Sequence, residues 1–220
     1  MNLNLNLNLK LAQTLWCENA ALVQTILAHP FVDGLRTGEL PRPCFQRYIA
    51  QDAYFLEAFA RAYALALARC PDQAGMREFF ALLSGGVSEL GLHASYATRW
   101  DIDLTTVTPS AATLAYTDFL LATAGLRDVG EICAALAPCM RLYAFLGQQL
   151  QPVLRGREQH PYAEWIQTYA APEFEAQAER LERLLDRYTR DTEAVHSAYR
   201  RAMTLELGFF AAQFAPSEDK

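Results

Sequence analysis

Apolar residues recur at helical spacing from Leu11 almost to the end of the chain, and this pattern constrains the fold most. The segments are rich in Ala and Leu, and because β-branched residues rarely follow one another, no segment favours a strand. The pattern predicts helices near residues 10–28, 43–69, 73–99, 110–124, 129–153, 161–170, 173–188 and 192–214. A helix of about 25 residues is about 37 Å long. We therefore predict an all-α helical bundle that could hold an internal pocket.

The helices are predicted to form one domain over residues 10–216. No stretch is rich enough in Pro, Gly or Ser to act as a linker, and the longest break, Trp100 to Pro109, is a polar connection between helices. Residues 2–9 alternate Asn and Leu without a partner strand, so residues 1–9 are expected to be a frayed, low-complexity leader.

Composition and charge argue against several classes of protein. The chain is 52% hydrophobic and 20% charged, as is ordinary for a globular protein. Its formal net charge of -6 offers no basic surface for nucleic acid. The longest apolar stretches are interrupted by Arg61 and Asp118, so we expect no membrane span, and the N-terminus lacks the features of a signal peptide. Five cysteines without a CxxC pair are typical of a reduced, cytoplasmic protein.

Cys139 is a candidate nucleophile because of its position in the predicted helix. It follows Pro138, which should kink the helix and could direct the thiol toward a cavity, and Tyr143 lies one turn further on the same face. Buried cysteines are more often inert apolar residues, and Cys133 is predicted to be one. The alternative for Cys139 is the same inert role.

Two carboxylates stand out within apolar helical segments. Asp52 shares a helix face with Phe55, and that face is predicted to point inward. Glu206 lies among Leu205, Leu207 and Phe209, where burial would raise its pKa. Asp52 could instead be a structural side chain, and Glu206 a surface one.

Aromatic side chains supply further candidates for a pocket. Tyr116 and Tyr169 are predicted to face inward, although aromatic residues at helical spacing are more often part of the core.

Glutamate–histidine pairs raise the alternative of a metal site. Glu89 and His93 are one turn apart, and Glu193 and His196 have the spacing found in di-iron bundles, which however require two such pairs. A metal- or haem-dependent oxidase or oxygenase, with His29 as a candidate haem ligand, is therefore an open alternative. A non-enzymatic regulator is another.

Several short motifs occur in an order that resembles one known family. They are His29–Pro30–Phe31–Val32, Gly38–Glu39–Leu40–Pro41, Tyr48–Ile49–Ala50–Gln51–Asp52, Glu89 with His93, Pro138–Cys139 with Tyr143, and Trp165–Ile166–Gln167–Thr168–Tyr169. In this order and spacing, the chain resembles the TenA/thiaminase II family from about Leu15 to Phe214. The resemblance implies the all-α fold shared with haem oxygenase.

The resemblance also implies an activity, an aminopyrimidine aminohydrolase of thiamin salvage. Such enzymes convert 4-amino-5-aminomethyl-2-methylpyrimidine to its 5-hydroxymethyl analogue and ammonia, and many also cleave thiamin. Cys139 matches the family nucleophile and Glu206 the catalytic acid. Residues that would bind the substrate are Asp52, Phe55, Tyr116, Tyr143 and Tyr169.

The resemblance has implications for cofactors and assembly as well. It implies a reaction with neither metal nor organic cofactor, and relatives are usually homotetramers. Two segments depart from the family pattern, Ala170–Ala171–Pro172 and Thr204–Leu205, and both could reshape the pocket.

Overall fold

The computed structural model describes residues 10–157 and 159–214, without the side chains of residues 92–95. The predicted leader at residues 1–9 lies outside the described residues. Within them, the chain forms α-helices and two short 3₁₀ segments, Leu104–Thr106 and Gln151–Leu154, with no strand. The α-helices are α1 Leu11–Glu18, α2 Ala20–Leu27, α3 Pro30–Thr37, α4 Arg42–Arg69, α5 Gln73–Trp100, α6 Ala111–Leu126, α7 Val129–Leu150, α8 Ala163–Ala170, α9 Pro172–Tyr188 and α10 Glu193–Phe214. The all-α prediction is confirmed.

The N-terminal region differs from the prediction in two places. The single helix predicted near residues 10–28 is broken at Asn19, whose side-chain Nδ2 donates a hydrogen bond to the carbonyl of Leu15. This local bond competes with the helical ladder, as Asn side chains commonly do. Helix α3 is not predicted at all. It begins after His29, whose ring accepts a hydrogen bond from the Phe31 amide, and it ends at Gly38 with a φ of 85°.

Helix α7 is the centre of the bundle. It packs against α4, α6, α8, α9 and α10, and most of its side chains are buried. Together with the 3₁₀ segment that follows it, α7 forms a stretch, Val129–Leu154, that is long and apolar enough to cross a membrane, with a window of mean hydropathy 1.4. Because 83% of that window is buried inside the protein, its apolar character is that of a core helix.

Gly147 brings α8 unusually close to α7. A Cβ atom at this position would collide with the backbone of Tyr169 and Ala170. Glycine therefore lets the end of α8 lie directly on α7, where the Tyr169 ring packs edge-on against the Tyr143 ring at 4.8 Å. This contact places two of the predicted site residues together.

Candidate active site

Five of the predicted site residues line one cavity within the bundle. They come from three helices: α4, α7 and α8. The five are Asp52, Phe55, Cys139, Tyr143 and Tyr169. The other two, Glu206 on α10 and Tyr116 on α6, are buried and are linked to Cys139 by hydrogen bonds.

Helix α4 supplies a carboxylate and an aromatic ring to the cavity. Asp52 is only 3% exposed, so the predicted inward face is correct. The Phe55 ring lies 4.8 Å from that of Tyr116 and 5.5 Å from that of Phe59. The wall beside Asp52 is thus aromatic and suits a flat ring.

Helix α7 supplies Cys139 and Tyr143, one turn apart on the cavity side. Burial raises the pKa of the Cys139 thiol well above its usual value, and the nearby carboxylates of Glu206 and Asp52 raise it further. The Cys139 thiol is therefore neutral at neutral pH. Cys133 is also buried, but it does not line this cavity.

Glu206 is a buried acid, and the alternative that it lies on the surface is wrong. It is 1% exposed, and burial raises its pKa to about 7. The Tyr116 hydroxyl donates a hydrogen bond of 2.8 Å to Glu206 Oε1, and the Cys139 thiol donates another; both bonds act to lower that pKa. A thiol and a carboxylate that titrates near neutrality are thus in direct contact.

A cluster of aromatic side chains with polar atoms forms another part of the site. Trp165 Nε1 donates to the Tyr48 hydroxyl at 3.1 Å, and the Tyr48 and Tyr143 hydroxyls are 3.3 Å apart. The Tyr169 hydroxyl donates to Glu89 Oε1 at 3.1 Å.

Sequence reasoning did not identify Tyr48, Trp165 or Glu89 as parts of the site. Tyr48 lies one turn before Asp52 on the same face of α4, and that spacing is the signal that could have found it.

The described side chains among the candidates for a metal site do not form a metal-binding group. His196 contacts Glu18 and Asp191, each at 2.7 Å, whereas His29 caps α3. The side chain of His93 lies outside the described residues. In the described part of the chain, no group of three or more His, Cys, Asp or Glu side chains could hold a metal ion.

The arrangement of helices defines the class of protein. It matches a domain of unknown function with a heme oxygenase-like fold from Shewanella denitrificans at a TM-score of 0.75 and 13% identity, covering 91% of this chain and 90% of that one. The family model of the TENA/THI-4/PQQC family matches residues 18–214, and the chain belongs to this family. The family resemblance seen in the sequence is thereby confirmed.

Relatives and solved structures agree with this membership. An aminopyrimidine aminohydrolase of Halalkalibacterium halodurans is 37% identical over 163 residues, which are 72% of each protein. The mitochondrial bifunctional TH2 protein of Arabidopsis thaliana is 36% identical over 209 residues, which cover 84% of this chain but only 34% of that protein. The TenA homologue of Pyrococcus horikoshii superposes with a TM-score of 0.87 at 25% identity, covering 94% of this chain and 99% of that one.

Proposed function

We propose that the protein is an aminopyrimidine aminohydrolase of thiamin salvage. Its substrate is 4-amino-5-aminomethyl-2-methylpyrimidine, here called the aminomethylpyrimidine, and its products are the 5-hydroxymethyl analogue and ammonia. The observation that carries the proposal is the contact between the Cys139 thiol and the buried Glu206 carboxylate beside the cavity that Asp52 lines. The names of the curated relatives support the same activity.

Asp52 is proposed to bind the edge of the pyrimidine ring. Its carboxylate pairs with a ring nitrogen and the exocyclic amine, and charge-assisted bonds of this type are strong when water is excluded. The ring would lie against aromatic walls such as Phe55, with Tyr116, Tyr143 and Tyr169 close to it. Because Asp52 pairs with the ring nitrogen, that nitrogen can accept the electron pair that is displaced from the ring during the reaction.

Cys139 and Glu206 are proposed to begin the reaction together. The sulfur adds to the ring carbon beside the one that carries the methylene, and the thiol proton passes to the Glu206 carboxylate. The electron pair displaced from the ring is held at the nitrogen paired with Asp52. Because the thiol is neutral beforehand, the attack requires Glu206 in its ionised form.

The same carboxyl group then serves as the acid. Glu206 returns the proton to the leaving nitrogen as the carbon–nitrogen bond breaks, and ammonia departs to leave an exocyclic methylene. Water adds to that methylene and gives a proton to Glu206, after which the carbon–sulfur bond breaks and the sulfur regains this proton. One group with a pKa of about 7 can act in both directions near neutral pH. Thiamin would react at the same methylene, with its thiazole as the leaving group.

The assembly and location of the enzyme are also proposals. The family resemblance supports a homotetramer that acts on a small molecule in the cytoplasm, without nucleic acid or membrane partners. A structure from a Silicibacter species is described as a TenA family transcription regulator. For this chain, the formal net charge of -6 argues against direct contact with DNA.

The decisive experiment measures ammonia release from the aminomethylpyrimidine by the purified protein, with thiamin cleavage measured in parallel. Turnover of the aminomethylpyrimidine that depends on enzyme concentration supports the proposal. No turnover of either compound contradicts it and favours a regulator. Stoichiometric iron in the purified protein, together with an oxygen-dependent reaction, would favour an oxygenase instead.

A further inference from the structure

Glu89 on α5 is a third carboxylate near the reactive thiol, and the reaction described above does not use it. Its side chain lines the cavity together with Asp52 and Cys139. The Tyr169 hydroxyl donates a hydrogen bond to Glu89 Oε1 at 3.1 Å. Since a carboxylate can only accept such a bond, Tyr169 fixes the position of this carboxylate at the cavity wall.

The described side chains that line the cavity carry charge of one sign. Among the lining residues that the structure describes, Asp52 and Glu89 are acidic and none is Lys, Arg or His. The rest of the lining is mostly apolar and aromatic, so charges interact more strongly across the cavity than they would in water. A ligand with a positive charge is therefore favoured in this cavity, and an anionic ligand is disfavoured.

The other two carboxylates near Cys139 already have tasks in the proposed reaction. Asp52 pairs with the edge of the ring, and Glu206 is held by Tyr116 and Cys139. Glu89 is the remaining carboxylate that a substituent on the ring could meet. Thiamin carries a permanent positive charge on its thiazolium ring. The aminomethyl group, as an alkylamine, is an ammonium ion in neutral water; it enters the cavity in this form and loses one proton to water before Glu206 protonates its nitrogen in the reaction.

We propose that Glu89 is a specificity-determining residue that selects pyrimidines whose 5-substituent carries a positive charge over those with a neutral or anionic substituent. This inference rests on the proposed function, because it assumes that the cavity binds the pyrimidine. Glu89 contributes through charge, so its removal weakens binding of cationic ligands and leaves binding of neutral ones nearly unchanged.

The test measures equilibrium binding by calorimetry in protein that carries Cys139→Ser, so that thiamin is not consumed. The two probes are thiamin, with its fixed positive charge, and the neutral hydroxymethylpyrimidine. Glu89→Gln is expected to weaken thiamin binding about tenfold, because it removes the attraction between the carboxylate and the thiazolium charge, while the Kd of the neutral probe changes less than twofold. The control is Glu78→Gln on the same helix, where Glu78 pairs with Arg180 at 3.0 Å on the surface. This control should change neither Kd.

The outcomes distinguish an effect of the Glu89 charge on ligand binding from a structural effect of the substitution. Equal weakening of both probes by Glu89→Gln, or no change in the ratio of their Kd values, overturns the proposal. Glu89→Asp keeps the charge and must keep the preference for thiamin; loss of that preference overturns the proposal even if Glu89→Gln is too unstable to purify. If the Cys139→Ser protein binds neither probe, the proposed function itself fails, which is a different result.

Discussion

The Tyr116 hydroxyl lies 2.8 Å from Oε1 of Glu206 and donates a hydrogen bond to it across the interface of α6 and α10. The bond stabilises the ionised form of an acid that burial would otherwise keep protonated. It thus holds the pKa of Glu206 at about 7 rather than higher. In the proposed reaction, ionised Glu206 accepts the thiol proton, so the same residue pair connects the fold to the chemistry.

Tyr116→Phe is expected to shift the pH dependence of turnover. Loss of the hydrogen bond favours protonated Glu206, so its pKa rises and the acidic limb of the kcat profile moves upward by about one pH unit. The measurement is kcat for ammonia release from pH 5 to pH 9. Tyr54→Phe, an exposed tyrosine on α4, is the control and should keep the original profile. If the acidic limb of the Tyr116→Phe profile does not move, the ionisation of Glu206 does not determine that limb.

Cys139→Ser is expected to abolish turnover while the fold remains intact. A serine hydroxyl is a far weaker nucleophile here, and we expect a loss on the order of 10³-fold or more in kcat. The matched control is Cys133→Ala on the same helix, which should retain activity and lose about 1 kcal/mol of stability through its small cavity. Activity assays and thermal unfolding of both variants check this. Comparable turnover by Cys139→Ser and the natural protein would remove the nucleophile assignment.

Asp52→Asn is expected to impair recognition of the pyrimidine edge. The amide cannot pair with a protonated ring nitrogen, and loss of a charge-assisted bond of about 1.5–3 kcal/mol corresponds to roughly a 10–150-fold fall in kcat/KM. Steady-state kinetics on the aminomethylpyrimidine measure this fall. Asp118→Asn, at an exposed position of α6, is the control. An unchanged kcat/KM in Asp52→Asn with a lower Tm would instead show a structural aspartate.

The long helices were predictable because their apolar spacing extends over many turns. The break at Asn19 was not, since it depends on one side chain that bonds to the Leu15 carbonyl within an otherwise continuous apolar pattern. Helix α3 has only eight residues, too few for a clear period, although Pro30 and Gly38 are common at the two ends of a helix.

The site was only partly predictable for a related reason. Helical spacing alone could not decide whether Glu206 faces the core or solvent; the packing of α10 against α6 and α7 decides it. The bond between Tyr169 and Glu89 joins residues 80 positions apart, and no local pattern encodes it. Local sequence therefore indicates which residues are unusual, and tertiary packing determines which of them meet.

Glu206→Gln is expected to lower kcat more than it weakens substrate binding. The amide keeps the size of the side chain but can neither accept the thiol proton nor return it to the leaving nitrogen. Loss of general acid–base catalysis typically costs about 10²–10⁴-fold in rate. Comparison of kcat with the Kd of the hydroxymethylpyrimidine separates the two effects. Near-normal kcat with an unaltered pH profile would mean that another group moves the protons.

Glu206→Gln is also expected to stabilise the folded protein at high pH. The folded-state pKa of Glu206, about 7, is above the ordinary 4.5, so the stability that this group contributes is fully present below pH 4.5 and is lost as the pH rises through 7. At pH 8 the natural protein must keep a buried charge that Gln lacks, and the shift in pKa corresponds to roughly 3 kcal/mol in the free energy of unfolding. Urea unfolding at pH 5 and pH 8 measures this: the variant should gain stability relative to the natural protein at pH 8 and much less at pH 5. A gain that is equal at both pH values would show that packing, rather than ionisation of Glu206, accounts for the difference.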